Sequence, residues 1–310
     1  MRENYAPRSS TTALAGIFSA ALLTTICDAG ARGNGILSHW RCDETRGAIL
    51  HDSVGAHDAT IAGSPAFVPG VAGGAISFSR ATNDVANAGN VLGFAGGADF
   101  SVSLWVRFPT GVGADQYLVS KHYTGYPNGW IVFVGVSGGC YGDPSAATFY
   151  TANVCGDEVT ATTPVYDGQW HHITCTYDGG GTKYIYVDGG LAEASGVANP
   201  INDDDGSKFL LGGMSVAGIP TGALDGALDD VQIYGRALSC AEVNYLFLHP
   251  GAEVANLADL NADGHVDGSD LALLLGQWGL CGAAPCSADL DCSGSVDAAD
   301  LAVLLGGWTG

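Results

Sequence analysis

The stretch "WHHITCTYDG" (170–179), followed at once by "KYIYVDGG" (183–190), decides the fold. Each run is rich in β-branched and aromatic residues and each ends in an Asp-Gly turn signal, the pattern of successive antiparallel strands. Upstream, "FSVSLWVRF" (100–108) places Phe100, Val102, Leu104, Val106 and Phe108 on one face by strict alternation. Similar short runs, separated by Gly, Asp and Asn, fill the chain from about residue 35 to 249, and helical periodicity is nearly absent. The exception is "LSCAEVNYLF", where Ser239 and Glu242 stand at capping-box spacing before one short helix that should stop near Pro250. This predicts a mainly β chain: a two-sheet antiparallel jelly-roll sandwich over 35–249, a linker at 250–257 and a small C-terminal α region at 258–310.

The chain has 310 residues, 47% of them hydrophobic, enough for a sizeable core. Only 14% are charged, yet the formal net charge is −21. Such a chain is repelled by nucleic acid and by anionic membrane surfaces, and it attracts cations.

The ordered set "GAISFSRATNDV", "DFSVSLWVRF", "GQWHHITCTYDG", "YIYVDGG" and "GALDDVQIYGRALSCAEV" resembles the LamG-like jelly-roll domains of the concanavalin A-like superfamily. The resemblance implies two curved sheets, with the last long strand beside the first, near "ILSHWRC". It also implies a secreted sugar-binding or adhesive module. Cys42 and Cys175 depart from the family pattern and read as lineage-specific disulfide partners. Some relatives carry a calcium ion; Asp52 of "HDSVG" and Asp225 and Asp229 of "LDGALDD" are the residues that would form such a site here.

Other members of the superfamily are glycoside hydrolases, which need two carboxylates facing each other across the scissile bond. After the N-terminal segment the only glutamates are Glu44, Glu158, Glu193, Glu242 and Glu253, and none lies in a Glu-x-Asp-x-Glu neighbourhood. No catalytic residue is assigned. His171 and His172, adjacent in a strand, point to opposite faces and cannot chelate one ion. For a sugar ring, the candidates are Tyr117, Tyr123, Tyr126 and Trp130 of the loop-rich "DQYLVSKHYTGYPNGW" (115–130).

The tail contains "DLNADGHVDGSD" (259–270) and, thirty residues on, "DLDCSGSVDAAD" (289–300). Both align with an EF-type calcium loop. The ligands would be Asp259, Asn261, Asp263, His265 (through its carbonyl), Asp267 and Asp270 in the first loop. In the second they would be Asp289, Asp291, Ser293, Ser295 (carbonyl), Asp297 and Asp300. Gly264 and Gly294 fall where the loop turns sharply. Leu271, Leu274, Leu275 and Trp278 after the first loop, and Leu301, Leu304, Leu305 and Trp308 after the second, lie at helical spacing. Pro and Gly before each loop preclude a full entering helix. The loop-plus-exiting-helix unit resembles the dockerin type I repeat, which implies two calcium ions and a cohesin-like partner.

Residues 1–31 read as a signal peptide: Arg2 and Arg8, an apolar or small run from Thr11 to Ile26, then "AGA" at 29–31. Its removal leaves eight cysteines in an oxidising compartment. Cys140 and Cys155 are the preferred pair; otherwise, either one bridge crosses into the tail or two thiols stay free. The expectation is an extracellular or cell-surface protein, without membrane insertion after cleavage. It would bind a glycan or surface polymer without catalysis. A polysaccharide-degrading hydrolase of the same fold and a structural cell-envelope protein are the alternatives.

Overall fold

The computed structural model describes residues 35–110, 115–122, 129–135, 143–151, 157–179, 181–195, 201, 206–216, 218–254, 256–261, 263–281 and 286–309. Two antiparallel eight-stranded sheets pack face to face. In the first, the order is Gly190–Ser195, Thr182–Val187, Trp170–Asp178, Phe100–Arg107, Gly226–Tyr234, Gly74–Phe78 and Ala66–Pro69. Ile36–Trp40 also pairs with Gly226–Tyr234, so the last long strand lies beside the first, as the resemblance implies. In the second sheet, Gln116–Lys121 and Trp130–Val134 form neighbouring strands.

The alternation of 100–108 is realised: Phe100, Val102, Leu104, Val106 and Phe108 all enter the core between the sheets. Phe100 and Phe209 lie against Trp130 there, with ring centroids 5.3 and 5.7 Å away. The turn in "KYIYVDGG" has positive φ at Asp188 (52°) and Gly189 (79°), the backbone that a two-residue hairpin turn of the I′ type demands. A Cβ on Gly189 would also come within 2.9 Å of the Phe247 ring, so glycine is required twice over.

Phe247 belongs to α1 (Cys240–Leu248), which begins with the Ser239/Glu242 capping box and ends before Pro250. This helix lies on the outward face of the first sheet, where Val243 and Leu246 bury against Tyr186, Tyr234 and Leu238. The chain after α1 is held there by a buried polar network. Asp230 accepts from the Gly251 amide (2.7 Å) and from Gln232 Nε2 (2.9 Å), and its Oδ1 lies 2.5 Å from His39 Nε2. Gln232 Nε2 also donates to the Ala252 carbonyl, and the Tyr234 hydroxyl accepts from the Val254 amide. The segment 250–254 is therefore docked on the sheet.

His172 faces outward from Trp170–Asp178, beneath Trp105 and Phe247, with ring centroids 5.1 and 6.1 Å away. Burial pushes its pKa down from 6.5 to about 4, against the pull of Asp230 and Asp188. His171, on the other face, bonds Asp188 (2.9 Å) and Asp167 (3.1 Å); the Asp188 bond raises its pKa despite burial. The two neighbours therefore titrate with opposite sign. A depressed histidine must charge to unfold, so stability is lost as pH falls below 6.5, by about 3 kcal/mol near pH 4. The contribution of His171 is complete below its unfolded value and is lost as pH rises through its raised folded value. Denaturant unfolding from pH 7.5 to 4 should show an acid decline that His172→Leu makes shallower by that amount. Identical acid limbs would refute the assignment.

The tail is built from two copies of one unit. α2 (Gly268–Gly276) and α3 (Ala298–Gly306) each begin at the end of an aspartate-rich loop. The copies bury equivalent residues: Ala258 and Ala288, Val266 and Val296, Leu274 and Leu304. Each helix exit pairs with the opposite loop. Gly279 pairs with Val296, and Thr309 bonds both the amide and the carbonyl of Val266. Of the residues at helical spacing, Leu274 and Leu304 are buried and Leu271 and Leu301 half-buried. Leu275, Leu305, Trp278 and Trp308 instead stand 42–52% exposed. The physical reason is size: two nine-residue helices touching along one line cannot cover the second half of each other's apolar stripe.

Two disulfides hold the tail. Cys281 pairs with Cys286, and Cys240 on α1 pairs with Cys292 in the second loop, tying tail to sandwich. The reading of Cys42 and Cys175 as disulfide partners is corrected: both are buried free thiols within the β core. Cys140 and Cys155 lie outside the described residues, as does the segment 1–31. Among the described residues no helix is long and apolar enough to cross a membrane.

Candidate functional site

In both tail loops the aspartates are organised by backbone amides. Gly264 and Gly294 have φ of 91° and 86°, left-handed turns that favour glycine and point successive amides inward. Asp259 accepts from the amides of Asp263 (3.1 Å) and Gly264 (2.7 Å); Asp289 accepts from Ser293 and Gly294, both at 3.0 Å. Asp267 and Asp297 cap α2 and α3, and Asp270 and Asp300 complete the capping boxes. Asp270 and Asp300 are fully buried. Asp300 accepts from Leu290 (2.6 Å), Asp291 (3.1 Å) and Asp297 (2.7 Å).

Carboxylate oxygens of Asp289, Asp291 and Asp300 all lie within 4.8 Å of one another. Burial, and then the like charges of Asp300 and Asp291, raise the Asp289 carboxyl against the lowering effect of the Gly294 and Ser293 amides. The first loop has the neutral Asn261 at the position of Asp291. Its side-chain oxygen accepts from the Asp263 amide at 2.9 Å. The second loop thus gathers three carboxylates around one point, hard oxygen donors of the kind a calcium ion takes.

The structure does not bring Asp52, Asp225 and Asp229 together. Asp52 spends both oxygens on the amides of His39, Val54, Gly55 and His57. Asp225 accepts from the Arg80 amide and faces its guanidinium. Asp229 accepts from the amides of Val71 and Ala72, and burial raises its pKa to about 7.

The aromatic candidates are also redistributed. Trp130 is 0% exposed in the core, and Tyr117 is buried on the other face of the second sheet with Ile131, Phe133 and Met214. Both lie in strands rather than in a loop. Tyr123 and Tyr126 lie outside the described residues.

A cleft of about 340 Å³ opens instead at one end of the first sheet's outward face. Sequence reasoning missed it. The signal was available in part: alternation of 100–108 sends Trp105 and Arg107 outward, and arginine is rare in so acidic a chain. Which outward residues α1 covers was not readable.

Paired eight-stranded sheets, closed by a strand that returns beside the first, define a lectin-type jelly roll. The chain belongs to the concanavalin A-like lectin/glucanases superfamily, whose laminin-G family model matches residues 80–244. Among solved structures, it resembles the binding domain of paraclostridial mosquitocidal protein 1 at TM-score 0.54 and 15% identity, over 69% of this chain and 52% of that one. It resembles domain 4 of AbnA, a GH43 extracellular arabinanase from Geobacillus stearothermophilus solved with arabinotriose, at TM-score 0.52 and 19% identity, over 68% of this chain and 97% of that one. A third match is the binding domain of botulinum neurotoxin serotype C1, at TM-score 0.50 and 15% identity, over 70% and 52% of the two chains. The chain thus spans about half the length of the two toxin domains. At these identities the likeness is one of fold. No curated protein sequence matches the chain.

Proposed function

We propose that the protein is an exported, non-catalytic glycan-binding module that is attached elsewhere through a calcium-organised, dockerin-like tail. The observation that carries the binding half is the match to nearly the whole of the arabinanase domain solved with arabinotriose, a domain of the same architecture. The tail half rests on the twin aspartate loops at a thirty-residue offset. Asp259, Asn261, Asp263, Asp267 and Asp270 would hold one calcium ion together with the His265 carbonyl. Asp289, Asp291, Ser293, Asp297 and Asp300 would hold the second with the Ser295 carbonyl. Bound calcium supplies charge neutralisation at the start of each helix. Leu275, Trp278, Leu305 and Trp308, exposed in equivalent positions on the two copies, are the surface such a tail would offer a cohesin-like protein.

A glycan array probed with the calcium-loaded chain, followed by a reducing-end assay on each retained polysaccharide, tests the reading. Retention without release of reducing ends is expected. Hydrolysis that a single Asp or Glu substitution abolishes would replace it with a glycosidase.

A further inference from the structure

Ser77, Ala227, Arg107 and Trp170 stand opposite one another on four adjacent strands of the first sheet. They form one transverse row on its outward face, where Ser77, Ala227 and Arg107 line the 340 Å³ cleft. The next row, with Trp105 and His172, is roofed by Phe247 of α1, and beyond it Gln232 and Tyr234 bond the 252–254 segment. This end of the face is therefore left open, whereas the next rows along the central strands are covered.

The row is chemically unusual for this chain. Eight Lys and Arg residues fall among the described ones. Arg41, Arg80 and Arg236 face carboxylates, and Lys121 and Lys183 are buried and hydrogen-bonded. Arg46 and Lys208 are not among the residues that line this cleft. Arg107 is half-buried at the cleft wall, and its one described contact is with the Trp170 ring, 4.8 Å from guanidinium carbon to centroid. That contact orients the guanidinium without neutralising it, because an aromatic face is no counter-ion. In a protein of net charge −21, a guanidinium with no carboxylate partner among the described residues is a local attraction for an anion. Its five-donor fork fits a planar carboxylate or a sulfate in bidentate fashion. Ala227, with Gly226 next to it, leaves the floor low, while Ser77 and Thr110 add hydroxyls at the rim. The volume is at the small end for ligand pockets, suited to one ring of a saccharide rather than a long chain.

We propose that this row is a subsite for an acidic sugar, one bearing a carboxylate or a sulfate group, with Arg107 as its anion-binding residue. The proposal rests on the glycan-binding reading above and names the ligand class. Calorimetric titration of the full, calcium-loaded chain would compare an oligogalacturonate with its methyl-esterified form, and a sulfated oligosaccharide with its desulfated form. At least one acidic ligand should bind tenfold or more tightly than its neutral counterpart, and which pair does so distinguishes carboxylate from sulfate. Arg107→Gln should remove that preference at unchanged melting temperature. Arg107→Lys, a point charge without the fork, should restore part of it. Equal affinity for acidic and neutral forms, or a preference that survives Arg107→Gln, overturns the subsite and leaves glycan binding intact. Failure to retain any saccharide, neutral or acidic, overturns both.

Discussion

On removal of calcium from the full chain, residues 258–309 should lose amide-exchange protection while the sandwich should keep its own. Residues 256–310 hold eight aspartates and neither lysine nor arginine. Screening at physiological salt acts over roughly 8 Å and does not relieve repulsion between carboxylates as close as those of Asp289, Asp291 and Asp300. Helices as short as α2 and α3 are marginal on their own in water. Each buries a single leucine, Leu274 or Leu304, in the shared tail core, with much of its apolar stripe exposed. Metal binding would then be coupled to folding.

The tertiary structure adds a direction. The second loop is braced by Cys240–Cys292 and flanked by Cys281–Cys286, whereas the first has no bridge among the described residues. Chelation should therefore expose α2 before α3. Asp300→Ala should reduce the calcium stoichiometry from two to one. It should also destabilise the second repeat, at about 1–3 kcal/mol for each amide left without its acceptor. Exchange mass spectrometry with and without chelator, on the intact chain, is the measurement; a fragment lacking Cys240 would leave Cys292 unpaired. Equal protection in both conditions would show that the loops fold without metal.

Trp130→Ala should destabilise the sandwich by about 3–5 kcal/mol, the usual cost of removing a large aromatic side chain from a packed core. For a domain of this size that is a fall in melting temperature of roughly 6–20 °C. Trp130 is fully buried among Phe94, Phe100 and Phe209, and its Nε1 donates to the Leu92 carbonyl at 3.2 Å. The truncation leaves a cavity and a carbonyl without its donor. Thermal unfolding of the variant checks this. A loss of sugar binding with unchanged stability would return Trp130 to the ligand-binding role that its surroundings in sequence suggested.

That contrast locates the boundary of what could be read in advance. Features carried by neighbours along the chain were legible. Alternation in 100–108, the positive-φ Asp188–Gly189 turn, the Ser239/Glu242 box and the repeated loops with Gly264 and Gly294 each depend on residues a few positions apart. Local backbone geometry links such residues directly, so spacing is sufficient to find them. The sheet order beside Ile36–Trp40 came from resemblance rather than from spacing.

What escaped was everything that depends on which distant surface lies against a residue. Trp130 belongs to a buried strand because Gln116–Lys121 and Ala146–Thr151 flank it. Cys42 and Cys175 stay reduced inside the β core, while Cys240 reaches Cys292 fifty-two residues on. Asp52, Asp225 and Asp229 each find backbone amides of their own. Arg107 keeps its charge open because α1 covers Trp105 and stops one row short. Hydrogen-bond spacing and residue pattern are properties of the chain, whereas burial and pairing are properties of the space between sheets, helix and tail, and they exist only once those surfaces meet.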